Sequence, residues 1–145
     1  MMTILKIIAG LAGLVVVVFF LLGLKSQRGS AKGLVNGQLA ECPSAPNCVS
    51  SEAGTQPEKL IDPIEGEMSD VKAAIVALGG TITSESDSYI SATFMSSVFK
   101  FVDDVEIRPG EDGTVHIRSA SRVGYSDRNV NRKRVEAIRT YLQKP

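Results

Sequence analysis

The stretch Arg118–Arg134, RSASRVGYSDRNVNRKR, decides the fold because it joins the last predicted strand to the last predicted helix. It holds six of the sixteen basic side chains of the chain. By the two-residue period of a strand, Arg118 and Arg122 share one face, whereas Ser119 and Ser121 share the other. The helical pattern follows within the same stretch. This junction is therefore the first surface to consider for a function.

The formal net charge of zero conceals three unequal blocks. Residues 1–32 carry four basic side chains and no acidic ones, and residues 33–117 carry fourteen acidic side chains and four basic ones. Residues 118–145 carry eight basic side chains and two acidic ones. A basic end beside an acidic body predicts either an anion site or internal ion pairs. Because the acidic body would repel a nucleic acid, we predict no nucleic-acid partner.

The run Ile7–Leu24, IIAGLAGLVVVVFFLLGL, contains no charged residue. As a helix it would span about 27 Å, close to the thickness of a hydrocarbon core. We therefore predict a transmembrane anchor over residues 1–25, with the lipid bilayer as its partner. A cleaved signal peptide is the alternative, but the run is longer than a usual signal-peptide core, and no small-x-small cleavage site follows it closely.

Two observations bear on the side of the membrane, and they disagree. Lys25, Arg28 and Lys32 follow the apolar run, and the positive-inside rule would place the domain in the cytoplasm. The segment ECPSAPNCVSS contains Cys42 and Cys48, whose pairing as a disulfide would require an oxidising compartment. We favour a single-pass protein with an extracytoplasmic, periplasmic domain.

Other roles for the cysteine pair remain open. The spacing of Cys42 and Cys48 is CxxxxxC, unlike the CxxC of thioredoxin-like redox sites, and two free thiols are also possible. A metal site would need further ligands, but the chain has one histidine, His116, so we predict no metal and no cofactor. Residues 26–40 before this loop are rich in small and basic residues and predict a flexible linker. Residues 41–145 then form one soluble domain.

The body of the domain alternates between strand and helix patterns. Gly66–Gly80 predicts a helix with one apolar face and with Ser69 or Asp70 as its N-cap. Arg128–Gln143 predicts the closing helix, with Ser126 or Asp127 as its N-cap. Predicted strands cover Thr81–Ser86, Tyr89–Met95, Phe99–Arg108 and Thr114–Arg122, and Glu58–Ile64 is a candidate edge strand. The expected class is α+β: an antiparallel sheet of about four to five strands, two helices on one face, and a transmembrane helix before them.

Three blocks in the C-terminal two thirds resemble a known family. They are CPSAPNCVSS, FVDDVEIRP and VHIRSASRVGYSDRNVNRKRVEAIRTYL, in that order. Together, over about residues 40–143, they are similar to the bacterial and plastid proteins of domain-of-unknown-function family 1499. Members usually have glycine where this chain has Asn129, and asparagine also tolerates a left-handed backbone. The resemblance implies a small α+β domain, often associated with an envelope or organelle, and it implies no mechanism.

The junction predicts a site for a small anion. Guanidinium groups bind phosphate or carboxylate in a fork, and a helix N-terminus adds free N–H groups. The candidate ligand-binding residues are Asp103, Arg118, Ser119, Ser121, Arg122, Asp127, Asn131 and Arg132. The alternative is structural: Arg118 pairs with Asp104 or Glu106, Asp103 is the buried partner of an arginine, and Asp127 only caps the helix.

Three classes of function remain open. The favoured one is a membrane-anchored envelope adaptor, a non-catalytic interaction domain that docks another envelope protein. The second is a module that binds a small anionic ligand. The third is a hydrolase-like enzyme, but Ser119 or Ser121 as nucleophile would need a base, and His116 projects from the other face of the strand.

Overall fold

The computed structural model describes residues 1–111 and 113–144. In chain order, the helices and strands are α1 (Met2–Gln27), β1 (Leu34–Val35), β2 (Gln38–Leu39), β3 (Cys48–Ser50), β4 (Ile64–Glu65), α2 (Met68–Ala77), β5 (Thr81–Ser86), β6 (Tyr89–Met95), β7 (Val102–Pro109), β8 (Thr114–Ser121) and α3 (Val130–Leu142). The predicted α+β class is confirmed.

The main sheet has six strands rather than the four to five expected. Its order is β3-β8-β7-β6-β5, and β4 also pairs with β8. All of these pairs are antiparallel. The two predicted hairpins, β5–β6 and β7–β8, are present. The additional strands β3 and β4 are two or three residues long, and the candidate edge strand at 58–64 contributes only β4 at its end and a single bridge from Leu60 to Ser50.

One face of the sheet, here called the inner face, carries the hydrophobic core. Alternate residues of β7 and β8, such as Val105 and Ile117, are fully buried there, as the period of two requires. Both α2 and α3 contribute side chains to the same cluster, among them Ile75 and Ile138. Burying an aliphatic side chain of this size contributes about 1.5–3 kcal/mol. This cluster fixes which residues of β7 and β8 point the other way.

The N-caps of both domain helices differ from the expected ones. Helix α2 is preceded by Glu67, which makes no side-chain cap bond, and Ser69 lies inside the first turn, so that cap prediction was wrong. At α3 the N-cap is Asn129 rather than Ser126 or Asp127, but Asp127 accepts hydrogen bonds from the N–H groups of Asn129 and Asn131 at 3.0 and 2.8 Å. Asn129 has φ of 65°, the left-handed backbone that glycine or asparagine tolerates.

Helix α1 continues past the apolar run to Gln27. It is long and apolar enough to cross a membrane by length and composition, with a mean hydropathy of 2.9 over its most apolar window. Most of its side chains are exposed. Its C-terminal part is in contact with the domain, where Gly23 and Ser26 are buried.

The segment after α1, expected to be a flexible linker, lies against the second face of the sheet, here called the outer face. We refer to residues 26–39, which begin in the last turn of α1, as the strap. It forms hydrogen bonds to the domain at three places, through Ser26, Gly33 and Leu39. Between the last two, β1 and β2 form a hairpin across Asn36 and Gly37, both with positive φ.

Candidate functional site

The outer face of the sheet is polar and is organised by three ion pairs. Asp104, Glu106 and Arg108 alternate along β7 and therefore share this face. Each pairs with a charge from a neighbouring element: Asp104 with Arg122, Glu106 with Arg118, and Arg108 with Glu52. Two arginines of the junction, Arg118 and Arg122, thus lie together on this face, but carboxylates neutralise both of them there.

Glu106 lies at the centre of this face and is fully buried. Its Oε2 accepts a hydrogen bond from Arg118 Nη1 at 2.7 Å. Its Oε1 accepts one from the Tyr89 hydroxyl and one from the Gly33 N–H of the strap, both at 2.7 Å. Burial, together with the hydrogen bond to Glu106, raises the pKa of Tyr89 well above its usual value. The carboxylate therefore fixes a strand, a tyrosine and the strap to one another.

A second pair joins the sheet to the end of α1. Arg122 donates from Nε to Asp104 Oδ2 at 2.8 Å and from Nη2 to Asp104 Oδ1 at 2.7 Å. Its remaining Nη1 donates to the carbonyl of Ser26 at 3.1 Å. The hydrogen bonds from Asp104 raise the pKa of Arg122, although burial opposes this. Arg122 is therefore a structural clamp on the strap.

The third pair holds the far end of the strap. Glu52 accepts from Arg108 Nε at 2.6 Å and from Nη2 at 2.7 Å, and from the Leu39 N–H at 2.9 Å. Burial would raise the pKa of Glu52, but the hydrogen bonds from Arg108 and Leu39 outweigh it, so the pKa is lowered. This carboxylate is ionised in the folded protein at neutral pH.

A groove of about 750 Å³ lies on the outer face beside the strap. Its walls are the strap and the cysteine loop, and its floor is the sheet. The lining residues include Lys32, Glu41, Asn47, Asp104, Arg118 and Arg122. A second groove of about 650 Å³, with Tyr89 and Thr93 among its lining residues, lies along the other side of the strap.

Two buried polar atoms among the lining residues of the first groove are without a hydrogen-bond partner in the described part of the chain. They are Arg118 Nε, a donor, and Asn47 Oδ1, an acceptor. Asn47 and Arg118 are each 4% exposed. Asn47 Nδ2 donates to the Gly124 carbonyl at 2.7 Å, which fixes the amide orientation and leaves the oxygen unpaired. A buried donor or acceptor without a partner costs free energy in the folded protein, so these two atoms indicate where a bound molecule could form hydrogen bonds.

The cysteine loop forms one wall of this groove. Cys42 and Cys48 form a disulfide, as predicted, with Cα atoms 5.6 Å apart. Inside the loop, the carbonyls of Pro43 and Ser44 accept hydrogen bonds from the buried Lys59 ammonium at 2.5 and 3.0 Å. The loop is therefore held by a covalent link and by a cation rather than by regular secondary structure.

The predicted site residues divide between the two faces of the sheet. On the inner face, Asn131 is fully buried and accepts from Ser119 Oγ at 2.6 Å, while its Nδ2 donates to Ser121 Oγ at 3.1 Å and to Asp127 Oδ2 at 2.8 Å. This cluster holds α3 onto β8. The polar groups of this cluster already form hydrogen bonds with one another, so the role of the cluster is structural.

The remaining candidates also have protein partners. Asp103 pairs with Arg134 at 2.8 Å, so it is the partner of an arginine, as the structural alternative expected, although it is only partly buried. Arg132 donates to the Glu58 carbonyl at 2.8 Å, away from both clusters. Of the predicted ligand residues, Arg118, Ser121 and Arg122 line the groove.

Asn47 and the strap are parts of this surface that the sequence patterns did not indicate. Asn47 lies inside a loop whose cysteines and prolines dominate its pattern. The strap contributes backbone groups, which leave no trace in residue type. Asn36-Gly37 is a strong hairpin signal and could have indicated that the segment is ordered.

A histidine, a serine and a carboxylate meet at β3, but not as a catalytic triad. His116 Nδ1 is 3.2 Å from Ser51 Oγ and 3.9 Å from Glu52 Oε2. A triad requires the base to contact nucleophile and carboxylate through opposite ring nitrogens. Ser51 Oγ also accepts the Ile117 N–H at 2.9 Å, so it ties β3 to β8. Within residues 1–111 and 113–144, no group of three His, Cys, Asp or Glu side chains could hold a metal ion.

The comparison with protein families agrees with the resemblance seen in the sequence. A family model described as "Protein of unknown function (DUF1499)" matches residues 38–142. No curated protein and no solved structure matches the chain. The match begins inside β2 and covers the sheet, both domain helices and the wall of the groove, which is well over half of the chain. The chain therefore belongs to the DUF1499 family.

Proposed function

We propose that this protein is a membrane-anchored, non-catalytic module that binds a small polar molecule in the groove beside the strap. The observation that carries this proposal is the pair of unpartnered atoms, Arg118 Nε and Asn47 Oδ1. One is a donor and the other an acceptor, and both belong to buried residues that line the same groove. A ligand that carries an acceptor and a donor would satisfy both groups after a small adjustment of the strap.

The charges of the groove favour a ligand without net charge. Lys32, Arg118 and Arg122 are its cations, and Glu41 and Asp104 are its anions. When Glu106, which pairs with Arg118, is included, three cationic side chains are balanced by three anionic ones. A simple anion would have to compete with carboxylates already bound to the arginines. We therefore propose an amide or a zwitterion, such as an amino acid, rather than the small anion expected from the sequence.

The anchor is the segment Ile7–Leu24, inserted in the bilayer, with the domain on the extracytoplasmic side. The disulfide between Cys42 and Cys48 supports an oxidising compartment. A cleaved signal peptide would pass the same test of length and composition. The contacts of Gly23 and Ser26 with the domain support an uncleaved apolar segment, because cleavage would remove these contacts.

The test is native mass spectrometry of the full chain released from membranes in detergent. We expect a retained small molecule in the wild type. Ala45→Trp would fill the groove and should abolish retention. Ala73→Trp, on the exposed side of α2, should leave it unchanged. If the wild type carries no small molecule and shows no thermal shift with acetamide, glycine or glutamine, the groove is not a ligand site.

The envelope adaptor is a second candidate, favoured by one observation. Val76 on α2 is 50% exposed, next to β5, the strand at the free edge of the sheet. An exposed apolar side chain beside an unpaired edge is a usual docking surface. A photo-crosslinker at Val76 in cells should then give one discrete adduct, which is absent when the crosslinker replaces Glu58. Equal labelling at both positions would argue against an adaptor.

A further inference from the structure

We infer that the β6–β7 turn, residues 96–101, inserts into the lipid leaflet next to α1, so that the domain contacts the bilayer at two places. The inference rests on the membrane anchoring proposed above and is independent of the groove. Three observations support the insertion: aromatic contacts between the turn and α1, the depth of those contacts, and the exposed apolar tip of the turn. The exposed surface of the turn would be covered by the acyl region of the bilayer.

Aromatic side chains connect the turn to the membrane helix. The ring of Phe99 lies 5.1 Å from that of Phe19 and 5.2 Å from that of Phe20. The ring of Phe101 lies 6.0 Å from that of Phe19. Centroid distances in this range are those of interacting aromatic pairs. The turn is therefore packed on α1 itself, and not only on the residues that follow it.

The position of these contacts along α1 sets the depth of the turn. Phe19 precedes Leu24, the last residue of the apolar run, by five positions. At 1.5 Å per residue, it lies roughly 7–8 Å inside that end of the run. If Ile7–Leu24 occupies the hydrocarbon core, the Phe99 ring must occupy the same core at about the same depth.

The backbone of the turn is fixed to α1 at close range. A Cβ added to Gly23 would lie 1.8 Å from the Phe99 carbonyl oxygen, so only glycine allows this approach. Ser26 Oγ donates to the Gly23 carbonyl at 2.6 Å and accepts the Val102 N–H at 3.1 Å. Because these contacts are short and involve backbone atoms, the turn cannot move out of the membrane while α1 stays in it.

Some of the polar backbone groups of the turn are hydrogen-bonded, which favours membrane insertion. The Ser96 N–H donates to the Phe101 carbonyl at 2.8 Å, and Ser96 Oγ accepts the Phe101 N–H at 2.9 Å. The carbonyl of Lys100 accepts from Gln27 Nε2 at 3.4 Å. These bonds lower the cost of taking the turn out of water.

The outer surface of the turn has the composition of an interfacial segment. Val98 is 64% exposed and Met95 is 57% exposed, although both are apolar. Lys25 and Arg28 at the end of the α1 helix and Lys100 in the turn are exposed, and their side chains would reach lipid headgroups. An apolar tip that is continuous with a membrane helix and bordered by cations matches a lipid leaflet better than a protein partner.

The test uses the full chain in vesicles of phosphatidylcholine with a quarter phosphatidylglycerol. An environment-sensitive fluorophore is attached at Val98→Cys and, as a control, at Ser88→Cys in the turn at the opposite end of β6. The native cysteines are paired, so each variant has one reactive thiol. We expect nitroxide-labelled lipids to quench the probe at 98 several-fold more than at 88, and aqueous iodide to do the reverse. Met95→Cys is a second labelling site with the same expectation.

Flotation of the vesicles distinguishes the anchoring of the protein by α1 from the insertion of the β6–β7 turn. A protein that floats, resists carbonate extraction and is quenched by lipid at 98 supports the insertion. A protein that floats but is quenched at 98 by iodide and not by lipid is anchored without insertion, which overturns this inference alone. A protein that does not float overturns the anchoring and the insertion together.

Discussion

Arg118 on β8 lies directly opposite Glu106 on β7, and its Nη1 donates to Glu106 Oε2 at 2.7 Å. Both side chains are almost fully removed from water. The pair explains why the basic stretch at the end of the chain coexists with an acidic body: the charges meet on one face of the sheet. Because Gly33 donates to the same carboxylate, this pair also holds the strap.

Replacing Glu106 with Gln should destabilise the protein strongly. The variant leaves the Arg118 cation buried without its counter-charge, which costs about 3 kcal/mol in the free energy of unfolding. Urea denaturation of the full chain in detergent measures the change. Glu58→Gln, at an exposed position, is the matched control and should stay within about 0.5 kcal/mol of wild type. Equal stabilities of the two variants would contradict the structural role of Glu106.

Acid should weaken the fold through Glu52. Its pKa in the folded protein is below the ordinary value of 4.5, so the unfolded chain takes up a proton first as the pH falls. The stabilisation from Glu52 is therefore complete above pH 4.5 and is lost as the pH falls through the folded pKa. Glu52→Gln should flatten the pH dependence of the unfolding free energy in this acid range. An unchanged acid slope in the variant would show that other carboxylates determine it.

Glycine at position 23 should be required for the docking of α1. In Gly23→Ala the added methyl meets the Phe99 carbonyl, so the turn must move and the hydrogen bond from the Val102 N–H to Ser26 Oγ is lost. We expect a loss of about 1–3 kcal/mol in thermal or urea unfolding. Gly13→Ala lies in the same helix with no atom within 4 Å and should be neutral. Identical behaviour of the two variants would mean that α1 is not held by the domain.

Reducing the disulfide should affect the groove as well as the stability. The bond between Cys42 and Cys48 closes a loop that contains the groove residues Pro43, Ala45 and Asn47. Its loss should lower the free energy of unfolding by about 2 kcal/mol and weaken retention of a bound molecule. The Cys42→Ser/Cys48→Ser variant should behave like the reduced protein in native mass spectrometry. Full retention in both would place the ligand elsewhere.

Strong local signals predicted the elements of the domain. The bounds of β5 and β6 agree with the predicted segments because a polar turn separates two runs of strand formers. The opposite faces of Arg118 and Ser119 follow from the period of two and are confirmed by Glu106 and Asn131 as their respective partners. Sequence patterns within a strand or helix are thus sufficient to predict its type and which residues share a face.

Long-range pairing could not be predicted from such patterns. The Arg134–Asp103 contact spans 31 positions and depends on how α3 crosses the sheet. The strap was expected to be flexible because its residues are small and aperiodic. Its attachments at Gly33 and Leu39 use backbone N–H groups, which every residue except proline has. Composition alone therefore cannot distinguish an attached segment from a free one.

The strap is held in the folded domain by its hydrogen bonds, and amide hydrogen exchange of the full chain in nanodiscs measures this attachment. The N–H groups of Gly33 and Val102 donate to Glu106 and Ser26, and their exchange should be slowed by orders of magnitude relative to an unstructured peptide. In Glu106→Gln, the Gly33 amide should exchange faster. Exchange of Gly33 at the rate of a free peptide in the wild type would contradict the attachment of the strap, and with it the shape of the groove.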